Sequence, residues 1–295
     1  MNFVRIGLKK YLPDTLVKKI GEYKREFKRK KVNLYNDSDF ISEVYKKKAG
    51  FENHKNTIET LVLRGSHADY GFYVRGTHNI YNLGLTSSDL YTNYKLFEKV
   101  KEQAPKLKNI VIFFSVFTPG LSLIKTREKY RCVAYKYFFD VEYQENGLIE
   151  TKNEKKIIAA IKKTNKPDVD LDYNGYDEKS VFGSIDDAQS RVRTHIRENK
   201  REPDQMIWLD RLIAGCEQAG YNLLIVIPPV RSNYRSILPN ESELFEKLYS
   251  INNGRANIES FYDSEIFSDD DLGDTDHLNE SGAKKLKNQV IKLLK

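Results

Sequence analysis

The 295-residue chain has little cysteine: Cys132 and Cys216 are its two, and they stand far apart. Neither a disulfide framework nor a zinc-ligand spacing can be built from them, which fits a reducing compartment. Long hydrophobic runs are also missing. No stretch reaches the roughly 18–20 apolar residues of a membrane span. The N-terminus lacks the apolar core of a signal peptide. The expectation is a cytoplasmic protein. No internal repeat is visible. Net positive charge is missing outside one segment: residues 1–32 hold eleven Lys/Arg and three Asp/Glu, while the whole chain nets +7. The remaining residues are therefore close to neutral, which argues against a domain-wide nucleic-acid-binding face.

Apolar residues make up 40% of the chain and aromatics 12%, enough for a proper core. The length suits one large α/β domain or two small ones. The basic segment has its own pattern. Leu12, Leu16, Ile20, Tyr23 and Phe27 form one helical stripe, and lysines and arginines cover the other faces. Residues 1–32 are read as a basic amphipathic helix, either docked on the domain or lying on an anionic membrane surface at the inner face of the membrane. Residues 33–295 form the second unit.

Within that unit, strands and helices alternate. "TLVLRG" (60–65), "HNIYNLGL" (78–85), "NIVIFFSVF" (109–117), "YNLLIVIPP" (221–229) and "ANIESFYD" (256–263) read as strands, several of them continuously apolar. Helical patterns occupy 87–104, 206–220 and 279–295. The alternation predicts a three-layer α/β/α fold with a central, mostly parallel sheet. In such folds the chemistry gathers at the carboxyl ends of the strands, where Ser66, Gly84, Ser115 and Pro228 fall. Residues 118–205 are polar and tyrosine-rich and read as an insertion between core strands, with helix candidates at 152–164 and 186–199. It is either a cap over the site or surface elaboration.

The first strand runs into Gly65-Ser66-His67, and "DLGDTDHLNESGAKKL" (271–286) precedes the last helix. A serine is a weak nucleophile until a base takes its proton, and the base needs a carboxylate to hold its tautomer and stabilise its cation. Ser66, His277 and Asp274 supply those three chemistries, and the D-x-x-H spacing lets one short loop carry two of them. Asp276 is a rival carboxylate, but a residue adjoining the histidine is poorly placed to reach the ring's far nitrogen. His67 is a candidate substrate contact or a buried packing residue. His54, His78 and His195 are read as structural. Arg64, Arg131 and Arg231 are candidates for holding an anionic substrate, or surface ion-pair partners. With no second histidine cluster, no metal site and no cofactor is expected.

These blocks resemble the SGNH (GDSL-type) hydrolase superfamily, whose fold is flavodoxin-like. The series "GSHADYGF … NLGLTSSDLYTNYKLF … DTDHLNESGA" is most similar to the bacterial branch of DltD-like proteins and surface-glycan acyltransferases. The resemblance covers roughly residues 58–118 and 206–295, and "DxxHLNxxGA" is its most specific part. It implies Ser66 as nucleophile, His277 as base and Asp274 as its orienter. It also implies an oxyanion hole built from the Ser66 and Gly84 backbone N–H groups. Two positions depart from the family pattern. Arg64 stands where a glycine is usual, and the third block has no asparagine; Ser115, Thr118 and Phe117 lie near its place. Asn82 and Ser115 are candidate substitutes. The implied activity is that of an esterase or O-acyltransferase working on an acyl, most simply acetyl, ester of a bacterial surface-glycan precursor. The alternative is an inactive glycan-binding or assembly module. The expected partner is a carbohydrate and not a nucleic acid. Nothing in the sequence speaks to oligomeric state.

Overall fold

The computed structural model describes residues 37–143, 149–179, 181–200 and 205–294. The basic helix expected over 1–32 lies outside them. The described elements, in chain order, are α1 (Ser38–His54), β1 (Thr60–Leu63), α2 (Gly65–Gly71), β2 (Ile80–Leu83), α3 (Leu90–Val100), β3 (Asn109–Phe113), α4 (Arg131–Phe139), α5 (Thr151–Lys163), α6 (Ala188–Glu198), α7 (Met206–Ala219), β4 (Asn222–Ile227), α8 (Ser232–Arg235), α9 (Glu241–Leu244), α10 (Glu246–Asn252), β5 (Asn257–Ser260) and α11 (Glu280–Ile291).

The five strands form one sheet in the order β2-β1-β3-β4-β5, every neighbouring pair parallel. β1, β2 and β3 are buried at every position, which is why β1 and β3 carry unbroken apolar runs, Leu61–Leu63 and Ile110–Phe113, rather than alternating, while β2 keeps one buried polar residue, Asn82. β5 lies at the sheet edge and is only partly covered. Each fully buried Leu or Val of the central strands contributes about 1.5–3 kcal/mol relative to exposure. On one face, Val62, Val111, Leu224 and Val226 pack with Ala68 of α2, with Phe72 just beyond it, and with Ala283, Leu286 and Val290 of α11. The last helix therefore shares a core with the helix that follows the first strand.

Helix ends follow local chemistry. Asp89 caps α3 by accepting from Thr92 N at 2.9 Å, and Asn279 caps α11 by accepting from Gly282 N at 3.0 Å. Six helices, α1, α2, α4, α8, α9 and α10, are not among the expected elements, and two of them bear on the site. The stripe of α1, Phe40, Ile41, Val44 and Phe51, is broken by a lysine, Lys47, that is itself buried. The segment carrying Ser66, expected as a loop, is the opening turn of α2. Seven residues holding a histidine, an aspartate and two glycines give no helical period to read.

The chain leaves β1 for β2 on one side, then returns past β1 to β3 on the other. That reversal opens a crevice at the carboxyl ends of β1 and β3, and α2 begins there.

Candidate active site

Ser66 is presented by a sharp strand-to-helix turn. Arg64 has φ 86° and Gly65 has φ +64°. A left-handed glycine costs little, whereas a non-glycine residue there stores on the order of 1–3 kcal/mol. The Gly65 N–H donates to Ser88 Oγ at 3.0 Å, which pins the turn. Ser66 is half-buried, so its hydroxyl has an open side.

The second stretch folds into a narrow loop. Leu272 and Leu278 pair across it, and the Gly273 N–H donates to the His277 carbonyl at 2.9 Å. Asp274 Oδ1 accepts the backbone N–H groups of Asp276 (3.1 Å) and His277 (2.8 Å). Both Asp274 oxygens lie 3.0 Å from His277 Nδ1, and His277 Nε2 lies 2.8 Å from Ser66 Oγ. These partners call for the tautomer with its proton on Nδ1, leaving Nε2 to accept from the serine. Burial opposes ionisation of Asp274, but the hydrogen bond and charge of His277 together with the Asp276 backbone N–H outweigh it and hold the carboxyl well below the usual range.

Asp276 does not face the triad nitrogen in the same way; its closest approach to His277 Nδ1 is 3.9 Å. It is the hub of a second network. Arg191 of α6 grips it in two bonds, Nε–Oδ1 at 2.8 Å and Nη2–Oδ2 at 2.9 Å. His67 Nε2 lies 3.3 Å and His195 Nε2 3.7 Å from Oδ2. His195 Nδ1 in turn meets Tyr234 Oη at 2.7 Å. Burial pushes His67 down to about 4 and His195 down to about 3, so both rings are neutral at pH 7. Burial penalises the Asp276 charge as well, but Arg191, joined by the three surrounding histidines, overrides that and holds it well below the carboxylate range.

Several expected contacts are placed elsewhere. The Gly84 N–H donates to Asn82 Oδ1 at 2.9 Å, while Asn82 Nδ2 donates to Ala68 O (2.7 Å) and Phe72 O (3.0 Å). Asn82 is fully buried and used as a strut under α2, so in this geometry neither group is turned toward Ser66 as an oxyanion donor. Gly84 is needed for closeness instead: a Cβ there would sit 2.6 Å from Asp69 N and 2.8 Å from Ala68 Cβ. Ser115 binds Thr118 through its N–H at 2.8 Å and lines a cavity of about 10 Å³ with His67, His195 and Tyr234. Arg64 is not a pocket residue. It is 1% exposed, donates to Phe113 O at 3.4 Å, and lies 5.7 Å from the Phe117 ring centroid. Its Nε and Nη2 have no partner among the described residues, and burial, with Asp89 opposing, brings it down to about 9. His67 is packed inside, bonded to a carboxylate, and is not a surface contact. Arg231 braces a neighbouring loop, donating to Asp269 O at 2.8 Å. Arg131 binds Thr86 O at 3.2 Å and sits 4.4 Å from the Phe40 ring centroid.

The segment expected as an insertion reaches the site. Its Gly183 N–H donates to Asp274 Oδ2 at 3.1 Å, Lys179 Nζ lies 4.1 Å from the Tyr70 ring centroid, and α6 supplies Arg191 and His195. Tyr70 sits one helical turn after Ser66 and meets the His277 ring edge-on at 5.8 Å. Arg191 and the Asp276 hub are absent from the sequence reading. The i, i+4 spacing of Arg191 and His195 on one helix is the signal that could have found them. His67, Asp276 and His277 also place ligand-type atoms within 4.8 Å of one another. Each has protein partners instead: Arg191 and His67 on Asp276, Ser66 and Asp274 on His277. Cys132 and Cys216 are buried and not joined in a disulfide. Among the described residues, no helix is long and apolar enough to cross a membrane.

No family model matches the chain, and no curated protein does. One solved structure that resembles it is a chain from Streptococcus pneumonia, provisionally described as a platelet activating factor. The two share 9% identity, with 87% of this chain and 94% of that chain covered at a TM-score of 0.42. A likeness at that score carries no weight for the reading of this site.

Proposed function

We propose that this chain is a serine-dependent ester-processing enzyme of the SGNH type. The observation that carries the reading is the unbroken relay Ser66 Oγ–His277 Nε2 at 2.8 Å and His277 Nδ1–Asp274 at 3.0 Å. In the first half-reaction His277 takes the Ser66 proton as Oγ attacks the ester carbonyl. The resulting imidazolium, steadied by Asp274, then protonates the departing alkoxide and leaves an acyl-serine. In the second, His277 draws a proton from an incoming hydroxyl as its oxygen attacks the acyl-serine carbonyl, and returns that proton to Ser66 Oγ as the Oγ–acyl bond breaks. Water as acceptor makes the enzyme an esterase, and a sugar hydroxyl makes it an O-acyltransferase. The Ser66 N–H, at the opening of α2, is the donor available to the oxyanion. The resemblance to surface-glycan acyltransferases supports an acyl-sugar, most simply acetylated, as the substrate class.

The test is labelling with a fluorophosphonate, read as intact mass, in wild type, Ser66→Ala and His277→Ala. Single labelling of wild type that is lost in both variants supports an activated serine. A folded wild type that takes no label overturns the catalytic reading and favours a glycan-binding module.

A further inference from the structure

The hydrogen bonds of the triad account for Asp274, but not for a second, fully buried carboxylate within 3.9 Å of the same ring nitrogen. His277 is faced by Asp274 and Asp276 from its own loop, by Ser66, His67 and Tyr70 from α2, and by Arg191 and His195 from α6 through Asp276. Lys179 stands over Tyr70 from the 177–187 segment. Two anions beside one imidazole would overstabilise its cation and offer Nδ1 a competing acceptor. Three cationic candidates could balance Asp276. His67 and His195 face Asp276 at 3.3 and 3.7 Å, but desolvation keeps their rings neutral. Arg191 alone carries a permanent charge, and its planar fork matches the carboxylate in two bonds.

We infer that Arg191 is a positioning residue for the triad: by neutralising Asp276 it leaves Asp274 as the sole effective counter-ion and acceptor of His277. The inference rests on the catalytic reading for its consequence but not for its test. With Arg191 removed, the uncompensated Asp276 charge would favour the His277 cation, which faces Asp274 at 3.0 Å as well as Asp276 at 3.9 Å. With Asp276 neutralised instead, an unbalanced guanidinium stands behind the ring. The two changes therefore act with opposite sign. Arg191 comes from the segment between β3 and β4, so that segment would serve the chemistry through Asp276.

The experiment is an NMR titration of the His277 ring in the full chain, for wild type, Arg191→Met, Arg191→Lys, Asp276→Asn and the double variant. The midpoint moves up by about one pH unit in Arg191→Met and down by a comparable amount in Asp276→Asn. It returns to the wild-type position when both charges are removed, and Arg191→Lys stays near wild type. A purely structural role would not produce shifts of opposite sign that cancel. Coincident titrations of wild type, Arg191→Met and Asp276→Asn overturn the inference. So do shifts of the same sign. If Arg191→Met does not fold, Asp276→Asn and the double variant decide. Fluorophosphonate labelling, run alongside, separates the two readings. An unlabelled wild type whose titrations shift as described sinks the catalytic proposal and leaves the electrostatic one standing.

Discussion

The rings of His67 and His277 stack with centroids 4.9 Å apart and 23° between their planes, each tied to a different aspartate of one short loop. His277 takes Asp274 and faces Ser66, while His67 takes Asp276 and faces the interior. Two histidine–aspartate pairs thus lie side by side, and only one has a hydroxyl on its outer nitrogen. The inner pair supports the outer one as a flat, buried surface.

Replacing Asp274 by Asn is expected to cut labelling of Ser66 by roughly 10⁴, the loss typical when the orienting carboxylate of a triad is neutralised. The loop survives, because the Asn side-chain oxygen can still accept the backbone N–H groups of Asp276 and His277. Stopped-time labelling checks the rate and circular dichroism checks the fold. Wild-type labelling by the variant would remove Asp274 from the relay.

Acid should destabilise the protein earlier than carboxylate titration alone would. His67 and His195 are held at about 4 and about 3 in the folded chain, below the ordinary 6.5. Between those values and 6.5 the unfolded chain binds more protons than the folded one, so stability falls as pH drops through that window. The loss attributable to His67 by pH 4 is on the order of 3 kcal/mol. Asp274 and Asp276, held below the carboxylate range, contribute stability that is lost only at still lower pH. Thermal melts from pH 7 to 4 read the slope. His195→Phe should flatten it even where its melting temperature is lower throughout, and an unchanged slope would refute the assignment.

Gly84→Ala should destabilise by about 1–3 kcal/mol, the usual cost of overpacking. The new methyl meets the backbone of α2 at Asp69, 2.6 Å away, which cannot swing aside like a flexible side chain. Because α2 carries Ser66, labelling should slow as well. Denaturant melts and labelling rates measured together would distinguish this from a change confined to the loop; a variant with wild-type stability contradicts the packing account.

Lys47 and Asp69 form a buried ion pair at 2.7 Å beneath the same helix, and Lys47 also donates to the carbonyls of Asn82 and Gly175. Lys47→Met leaves Asp69 charged and short of its cation, which costs about 3–5 kcal/mol. Adding Asp69→Asn should recover part of that loss, since the amide still accepts from Thr86. Equal stability of the single and double variants would show that the charge is compensated elsewhere.

The strands are legible because full burial on both faces demands unbroken apolar runs, as in Val111–Phe113 and Leu223–Ile227. Asp274 and His277 are legible as residue types, since a D-x-x-H turn leaves few other uses for that spacing. The hub around Asp276 is not. Its partner Arg191 lies 85 residues away in a polar helix whose charges look solvated. The roles of Gly84 and Asn82 are hidden for a related reason. A glycine kept for close approach and one kept for its N–H look the same in sequence, and only the turn of the Asn82 amide separates them. Lys47 conceals α1 because a lysine on an apolar stripe reads as a break until its buried partner is known.

The contact between Ser66 and His277 joins positions 211 residues apart. Contacts at such separation form late, because loop-closure entropy must first be met by the rest of the fold. On the proposed catalytic reading, the serine is therefore an ordinary hydroxyl through most of the folding reaction and becomes reactive only when the loop carrying His277 packs against α2. Its chemistry is a timestamp of completed assembly: a probe that reads Ser66 reads the native state, and partly folded chains remain silent to it.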